Sequence, residues 1–393
     1  MREGWKTLRL GSVTRRVIEP VAVQDDRLYA NLGVKWYAAG TFLREPRAGS
    51  EIKAKTLFRV RPGQFVYNRL FATEGSFALI RPEDAEAVAS NEFPVFEVDS
   101  SELAPEYLYL HFQQPSVWEE VNRQCTGTTK SRLRWKEELF GASPLAIPPL
   151  SEQRRIVDLV RAFDDAIAST RNQRVAAAHV REQFREYLCR GDAEVKVGAV
   201  LHAVSRPAQV DAECAYEEIG IRSHGKGTFD KAPVLGADLG TKKVFWMVPG
   251  ALAFNIVFAW EGAVALIGEN ATGKVASHRF PNYISPLEAG ERFMAEYFRT
   301  RTGIELLASC SPGGAGRNKT LNRAALLASE IRVVAPGEWP AVVALLDDAA
   351  TAEQRATLLL DRLTNIRSNI LTTLMSGEHE IPQSYDELMG EAS

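Results

Sequence analysis

The pattern of hydrophobic and polar positions divides the chain into β-rich stretches and long helical ones. Between residues 57 and 80, apolar and aromatic residues are interrupted by turn signals such as Pro62-Gly63 and Glu74-Gly75, which is typical of short strands. Two long segments, residues 151–190 and 337–377, carry apolar residues at helical spacing. The chain therefore predicts strands and long helices in alternation.

The second half of the chain repeats the first. Shifted by 187 residues, positions 11–94 align without a gap with positions 198–281, and 29 of the 84 aligned residues are identical. Residues 104–121 and 290–307 occupy matching places, and each stretch predicts one helix. A repeat of this length predicts one fold that is built twice.

The two long helical segments carry apolar stripes at 4-3-4 spacing. The stripe positions are Ile156, Val160, Phe163 and Ile167 in the first segment and Leu359, Leu363, Ile366 and Ile370 in the second. Each helix could pack on its own domain alone. However, a helix of about 40 residues is about 60 Å long, which is more than one small domain can cover. The length favours packing of the two helices against each other as an antiparallel coiled coil.

These patterns predict an α+β protein with two repeated β-rich domains, separated by two long helices that form an antiparallel coiled coil. The predicted divisions are a first domain at residues 1–150, a first helix at 151–190, a second domain at 191–336, a second helix at 337–377 and an acidic tail at 378–393.

Composition and charge add few restrictions. The 393 residues are 45% hydrophobic and 25% charged, as in ordinary globular proteins, and the formal net charge of −3 gives no sign of nucleic-acid binding. The four cysteines lie far apart, and the chain opens without a charged-then-apolar leader. We expect a reduced, cytoplasmic protein that is not bound to a membrane.

One short stretch raises the question of nucleotide hydrolysis. Residues 268–275, GENATGKV, have the spacing of the G-x-x-x-x-G-K-[ST] loop, but Val275 stands where a hydroxyl would hold Mg²⁺. In the first copy the glycines and the lysine are replaced by Arg81, Glu86 and Ala87. We interpret this stretch as a surface turn.

Catalytic and metal-binding patterns are missing as well. The chain has no Asn-Pro-Pro-Tyr motif of methyltransferases and no G-x-S-x-G nucleophile elbow, and its six histidines show no metal spacing. The EIK tripeptide at residues 51–53 could be half of a nuclease motif, but its counterpart at residues 238–240 lacks the lysine. We therefore assign neither catalytic nor metal-binding residues.

Several segments resemble the specificity subunit of type I restriction–modification systems. The first is IPPLSEQRRIVDLV (147–160), in which a proline pair and then Glu-Gln open a long helix; the second copy has APGEWPAV (335–342) instead. CTGTTKSRL (125–133), LMSGEHEIP (374–382) and the duplication match the same family, and together they cover nearly the whole chain. The resemblance implies two target recognition domains, each of which reads one half of a split double-stranded DNA sequence.

The resemblance also implies partners and a cofactor. The long helices would space the two half-sites and bind two modification subunits, which carry S-adenosylmethionine and the methylation chemistry, whereas this chain would be non-catalytic and hold no cofactor. ATP-dependent restriction subunits can join such complexes. Two other classes stay open: a recognition or adaptor subunit of another DNA-modification-based phage-defence complex, and a DNA-cleaving enzyme that carries its own recognition domains.

The first candidate for DNA contact is a loop that differs between the copies. In residues 34–42 and 221–229 the sequence Gly-Thr-Phe is unchanged, but Lys35-Trp36-Tyr37 becomes Arg222-Ser223-His224. Because Arg and Lys pair with guanine edges, we predict base reading by this loop; an ordinary variable turn is the alternative. The candidate residues are Lys35, Trp36, Tyr37, Arg222, His224 and Lys226.

The second candidate is a basic segment at residues 123–136, which contains no acidic residue. Flexible basic loops suit phosphate contact, and a solvated charged face is the alternative. The candidates are Arg123, Lys130, Arg132, Arg134 and Lys136 and, in the second copy, Arg317, Asn318 and Lys319.

Overall fold

The computed structural model describes residues 4–125, 133–240, 242–313 and 319–387. The chain divides into two compact units, of which the first comprises residues 1–169 and 360–393 and the second comprises residues 170–359. Each long helix therefore begins in one unit and ends in the other.

The first unit is built from short strands that pair antiparallel. Its strands are β1 (Lys6–Arg9), β2 (Thr14–Val17), β3 (Pro20–Ala22), β4 (Leu28–Tyr29), β5 (Leu32–Val34), β6 (Thr41–Leu43), β7 (Arg47–Ala48), β8 (Thr56–Arg59), β9 (Phe65–Tyr67), β10 (Phe77–Leu79), β11 (Val88–Ala89), β12 (Val95–Val98) and β13 (Pro144–Ile147). They form a four-stranded sheet in the order β10-β9-β12-β2, a three-stranded sheet β11-β8-β3, and the pairs β1-β13, β4-β7 and β5-β6. Its helices are α1 (Pro105–His111), α2 (Pro115–Gln124), α3 (Glu137–Ala142) and the first part of α4 (Leu150–Tyr187).

The central strand β9 separates two apolar cores of this unit. Successive side chains of a strand point to opposite faces. Phe65 and Tyr67 accordingly join an aromatic cluster with Phe77 and Trp135, in which the Tyr67 and Trp135 ring centroids are 5.2 Å apart. Val66 between them belongs to a separate aliphatic cluster. The β-rich interior predicted for residues 57–80 is therefore present.

The second unit repeats this arrangement. Its strands are β14 (Ala193–Lys196), β15 (His202–Val204), β16 (Ala215–Tyr216), β17 (Ile219–Ile221), β18 (Thr228–Asp230), β19 (Val234–Leu235), β20 (Val244–Trp246), β21 (Leu252–Phe254), β22 (Val264–Leu266), β23 (Val275–Ser277), β24 (Asn282–Ile284) and β25 (Glu330–Val333). The four-stranded sheet β15-β24-β21-β22 corresponds to the one in the first unit, and the pairs are β14-β25, β16-β19, β17-β18 and β20-β23. Its helices are α5 (Val197–Val200), α6 (Gly236–Leu239), α7 (Gly290–Tyr297), α8 (Arg301–Ser309), α9 (Arg323–Ala328) and the first part of α10 (Trp339–Met375).

Residues 104–121 and 290–307 each form two helices rather than the single helix that we predicted. In the first copy Pro115 starts α2, and a proline disfavours helical geometry in the residue before it. In the second copy the Thr300 hydroxyl accepts a hydrogen bond from the Gly303 N–H at 3.0 Å and caps the start of α8. Different residues thus interrupt the helix at matching places.

The long helices α4 and α10 contain 38 and 37 residues, and they run antiparallel. In the first unit the start of α4 shares a core with the end of α10, and Arg367 of α10 pairs with Asp164 of α4 at 2.7 and 2.9 Å. In the second unit Arg181, near the end of α4, lies 3.0 Å from Glu353 in the first part of α10. The predicted coiled coil is confirmed. No described helix is long and apolar enough to cross a membrane.

The stripe predicted for α10 needs a correction. Ile156 and Val160 of α4 are buried, and Phe163, Ile167, Leu363 and Ile370 are half-buried. Leu359 and Ile366, however, remain 46% and 45% exposed, so their assignment to the helix interface is wrong. The inward positions of α10 instead follow the series Ala356, Leu360, Leu363, Arg367, Ile370 and Leu374. The polar Arg367 hides this series in the sequence, because it interrupts the apolar pattern.

The two copies fasten the start of their long helix in different ways. The side chain of Gln153 is fully buried, and it accepts a hydrogen bond from the Ala104 N–H at 2.8 Å and donates one to the Pro148 carbonyl at 2.9 Å. At the start of α10 a buried tryptophan, Trp339, stacks on Phe293. The Glu-Gln pair and its replacement in APGEWPAV therefore each lie against their own unit.

Candidate nucleic-acid interface

Two hairpin loops occupy matching places in the two units. Loop 1, residues 35–40, joins β5 to β6, and loop 2, residues 222–227, joins β17 to β18. The phenylalanine of Gly-Thr-Phe explains why the loop ends are unchanged. The Phe42 ring lies directly over Gly33, where a Cβ atom would be 2.3 Å from it, and Phe229 covers Gly220 in the same way at 2.4 Å. Only glycine permits this close approach.

The backbone of the two loops follows one path. Tyr37 has a positive φ of 59° and His224 one of 60°, in the left-handed region that side chains with a Cβ rarely adopt. The Tyr37 N–H donates to the Glu74 carbonyl at 2.9 Å, and the His224 N–H donates to the Glu261 carbonyl at 2.8 Å. The next N–H of each loop, from Ala38 or Gly225, donates to Gly75 or Gly262 at 2.7 or 2.9 Å. Each loop is thus docked on a short 3₁₀ turn of its own unit, Ala72–Glu74 in the first and Ala259–Glu261 in the second.

Loop 1 presents aromatic side chains to solvent. Trp36 is 47% exposed and Tyr37 is 66% exposed, although large aromatic side chains are usually covered. The Trp36 ring centroid lies 5.5 Å from that of Phe71, and the Tyr37 centroid lies 5.9 Å from that of Trp118. A depression of about 330 Å³ beside Trp36 is lined also by Leu70, Phe71, Thr73, Glu74, Asn122 and Leu133. Lys35 is exposed next to this aromatic surface.

Loop 2 presents hydrogen-bond donors and positive charge instead. The Arg222 guanidinium lies 5.0 Å above the Phe229 ring and donates to the Thr228 carbonyl at 3.2 Å, so it is oriented while remaining exposed. His224 and Lys226 are exposed on the same loop. Lys319, from the segment that follows α8, holds its Nζ 4.5 Å from the centroid of the Trp260 ring. The two loops therefore share a frame and differ in chemistry.

The basic segment has acidic neighbours that its own sequence does not contain. Arg123 donates to Glu120 at 3.0 and 2.6 Å, and Arg134 donates to Glu92 at 3.2 and 3.1 Å, which raises the pKa of Arg134. The segment itself contains no acidic residue, but the fold places carboxylates of neighbouring segments beside these two arginines. Lys136 is exposed just before α3. Lys130, Arg132, Arg317 and Asn318 lie outside the described residues.

Two features of the described structure bear on the catalytic alternatives. The Lys274 ammonium, which a nucleotide loop would direct to phosphates, lies 2.7 Å from Asp230 and 3.6 Å from Glu217. In the described part of the chain, no group of three or more His, Cys, Asp or Glu side chains could hold a metal ion. The lysine of GENATGKV thus belongs to a local ion-pair cluster.

Comparison with known families identifies the domain. The family model for the type I restriction modification DNA specificity domain matches residues 2–177, which include loop 1. The internal repeat extends the same sequence pattern into the second half. Residues 2–177 belong to the type I restriction modification DNA specificity family. The domain of this family is a specificity domain for DNA rather than a catalytic one.

Solved structures share the fold of this chain over nearly its whole length. The HsdS subunit from Thermoanaerobacter tengcongensis superposes with a TM-score of 0.55 at 16% identity, covering 96% of this chain and 98% of that one. The S subunit of the type I system from M. genitalium gives 0.54 at 10% identity, covering 94% and 96%. A chain from a study of complex assembly and conformational transition of the type I R-M system gives 0.54 at 15%, covering 95% and 98%. No curated protein sequence matches the chain.

The exposed aromatic residues beside the two loops were not predicted from the sequence. Phe71 and Phe258 are aligned positions of the repeat, and they are 41% and 37% exposed. The signal was available in the sequence, because both copies keep the phenylalanine and the alanine, glutamate and glycine of the turn that follows it. A residue that is unchanged between copies and yet exposed is a candidate for contact with the same chemical feature of a ligand.

Proposed function

We propose that this specificity subunit reads a split double-stranded DNA sequence, with one half read by each domain. The observation that carries the proposal is the pair of loops, which share backbone geometry and docking contacts and differ in their side chains. A recogniser of two different half-sites needs this combination, because the frame fixes the position of the loop against DNA and the side chains select the bases.

The two loops suit different bases. In loop 2, Arg222 and Lys226 are donors of the kind that pair with the O6 and N7 acceptors of guanine in the major groove. In loop 1, Lys35 can make the same contact, while the exposed faces of Trp36 and Tyr37 suit apolar contact with a thymine methyl group. We propose that the first half-site differs from the second in this respect.

Phosphate contact is proposed for the basic residues beside the loops. Two of the described candidates, Lys136 and Lys319, form no short ion pair with a carboxylate of the described residues. The same two segments also contain the candidates Lys130, Arg132, Arg317 and Asn318. Arg123 and Arg134 would exchange their carboxylate partners for phosphates only in part, because Glu120 and Glu92 stay beside them. These contacts would supply affinity without sequence preference.

The helix pair is the proposed binding surface for two modification subunits. These subunits would carry S-adenosylmethionine. ATP-dependent restriction subunits would join the complex in the cytoplasm. Support comes from large apolar side chains that the coiled coil leaves exposed on the described helices. These are Val175 and Val180 on α4 and Leu345, Leu358, Leu359 and Ile366 on α10. Large apolar side chains that stay exposed on a helix are common at protein interfaces.

A gel mobility-shift experiment with a purified methyltransferase partner tests the proposal. The assembled complex should bind duplexes that carry the cognate site more tightly than scrambled duplexes, and the Lys55→Ala variant, outside both loops, should behave like the wild type. Binding without any sequence preference would favour the adaptor alternative. Cleavage of the duplex by the purified chain alone with Mg²⁺ would favour the DNA-cleaving enzyme.

A further inference from the structure

In each loop, one backbone carbonyl accepts a hydrogen bond from a side chain of the same unit. In the first unit the Tyr109 hydroxyl donates to the Ala38 carbonyl at 2.6 Å. In the second unit Nη2 of Arg299 donates to the Gly225 carbonyl at 3.1 Å. Ala38 and Gly225 are the same position of the repeat, separated by 187 residues. Two unlike side chains thus hold the same point of the two loops.

In the first unit the contact continues to the helix pair. The Gln113 side chain lies beside the Tyr109 hydroxyl, and Oε1 of Gln113 accepts a hydrogen bond from Nη2 of Arg367 at 2.6 Å. Arg367 in turn pairs with Asp164 of α4 at 2.7 and 2.9 Å. A series of polar contacts therefore joins loop 1 to both long helices.

The second unit makes the equivalent connection with different residues. Arg299 pairs with Glu296 of α7. Glu296 accepts two further hydrogen bonds from Arg185 of α4, at 2.9 and 2.8 Å. A Cβ atom on Gly225 would lie 2.9 Å from Nε of Arg299, so this arginine packs directly under the loop. Loop 2 is likewise joined to a long helix.

We propose that these two series, Tyr109–Gln113–Arg367 and Arg299–Glu296–Arg185, are positioning relays that set the geometry of the base-reading loops from the helix pair. Hydrogen bonds that involve charged groups are directional, and the left-handed loop backbone is not favoured without support. The side chains in the relays differ between the copies. Both relays nevertheless end at the equivalent loop carbonyl, of Ala38 or Gly225, and both begin at the helix pair. A movement of the helices when a partner docks would reach both loops by this route.

The proposal rests on the proposed base reading, and two readouts separate them. The first is hydrogen exchange of residues 35–40 and 222–227 in the full chain without DNA. The second is the ratio of cognate to half-site-scrambled affinity, measured on the assembled complex for each half-site. Tyr109→Phe removes one hydroxyl under loop 1, and Tyr107→Phe on the same helix is its control, because Tyr107 donates to Ala146 instead. Glu296→Gln acts under loop 2, with the solvent-exposed Glu305→Gln as its control.

Tyr109→Phe should speed exchange of residues 35–40 and lower discrimination at one half-site by about three- to tenfold, the size of one hydrogen bond. Glu296→Gln should do the same for residues 222–227 and the other half-site. The relay proposal is wrong if hydrogen exchange of the loop residues does not change, or if discrimination falls equally at both half-sites. It is also wrong if the control variants have the same effects. If exchange speeds up but Lys35→Ala leaves half-site discrimination intact, the base-reading role fails while the anchoring of the loop stands.

A double-mutant cycle tests the link to the helices. Arg367→Lys keeps a positive charge beside Asp164 but cannot donate to Asp164 and Gln113 in the geometry of the guanidinium. Arg367→Lys should reduce discrimination at the same half-site as Tyr109→Phe, and the double variant should lose less than the product of the two single losses. Arg161→Lys, on the exposed side of α4, is the control. Fully independent losses would show that Arg367 does not act through Tyr109.

Discussion

Phe293 and Trp339 stack face to face, with ring centroids 3.9 Å apart and an angle of 3° between the ring planes. Both side chains are fully buried, and the Trp339 indole N–H donates to the Val334 carbonyl at 2.9 Å. This contact fixes the start of α10 on the second unit. Its counterpart at the start of α4 is the hydrogen-bonded Gln153, so one structural task is solved by stacking in one copy and by an amide in the other.

Replacing the buried tryptophan should destabilise the second unit selectively. Trp339→Ala removes the stacked ring and leaves a cavity, which costs about 3–5 kcal/mol of unfolding free energy. Hydrogen exchange in urea, followed on Gly290–Tyr297 for the second unit and on Pro105–His111 for the first, measures the two separately. The exposed Trp36→Ala is the control and should stay within about 0.5 kcal/mol of the wild type. An equal loss in both units would contradict the assignment.

The stability of the first unit should fall as the pH falls from neutral toward 5. Burial lowers the pKa of His111 to about 4 from an ordinary value of 6.5. Between these values the unfolded chain takes up a proton and the folded chain does not, so lowering the pH favours unfolding by up to about 2 kcal/mol at pH 5. Urea unfolding of the first unit at pH 7 and pH 5 measures this loss. His111→Gln should flatten the dependence, and the exposed His202→Gln should not.

Two leucines one turn apart on α10 should respond differently to the same change. Leu363→Asp places a carboxylate at a half-buried inward position and should destabilise the helix pair by about 2–3 kcal/mol. Leu359→Asp lies on the exposed side and should leave the unfolding free energy unchanged, while it weakens binding of a modification subunit. Urea unfolding and sedimentation with the purified partner give the two quantities. Equal destabilisation by both variants would restore the stripe predicted from the sequence.

Much of the architecture was predictable from the sequence because the chain contains an internal repeat. The gapless repeat required one fold in both halves, and the spacing on α4 located Ile156 and Val160 correctly. The same method failed on α10, where Arg367 occupies an inward position and only its partners, Asp164 and Gln113, make that position acceptable. Those partners lie far away in the chain, as do Glu92 and Glu120 beside the basic segment. Side chains that meet only in the fold cannot be read from local periodicity.

Salt dependence should separate phosphate contacts from base contacts. Neutralising Lys130, Arg132 and Arg134 together should weaken binding to cognate and random duplexes alike and reduce the slope of log affinity against log salt by about 0.9 per lost contact. Glu92→Gln should have the opposite effect, because it frees Arg134 from its carboxylate partner. Filter binding across a salt series measures both. A loss confined to cognate DNA would assign these residues to bases instead.

The most direct test of the account is a panel of duplexes in which each base pair of either half-site is changed in turn, bound by the assembled complex. Lys35→Ala should cost about 1–3 kcal/mol and abolish the preference at one position of one half-site, leaving the other half-site unaffected, and Arg222→Ala should do so in the other half. If either variant weakens cognate and scrambled duplexes equally, the loops do not read bases, and the central claim is wrong.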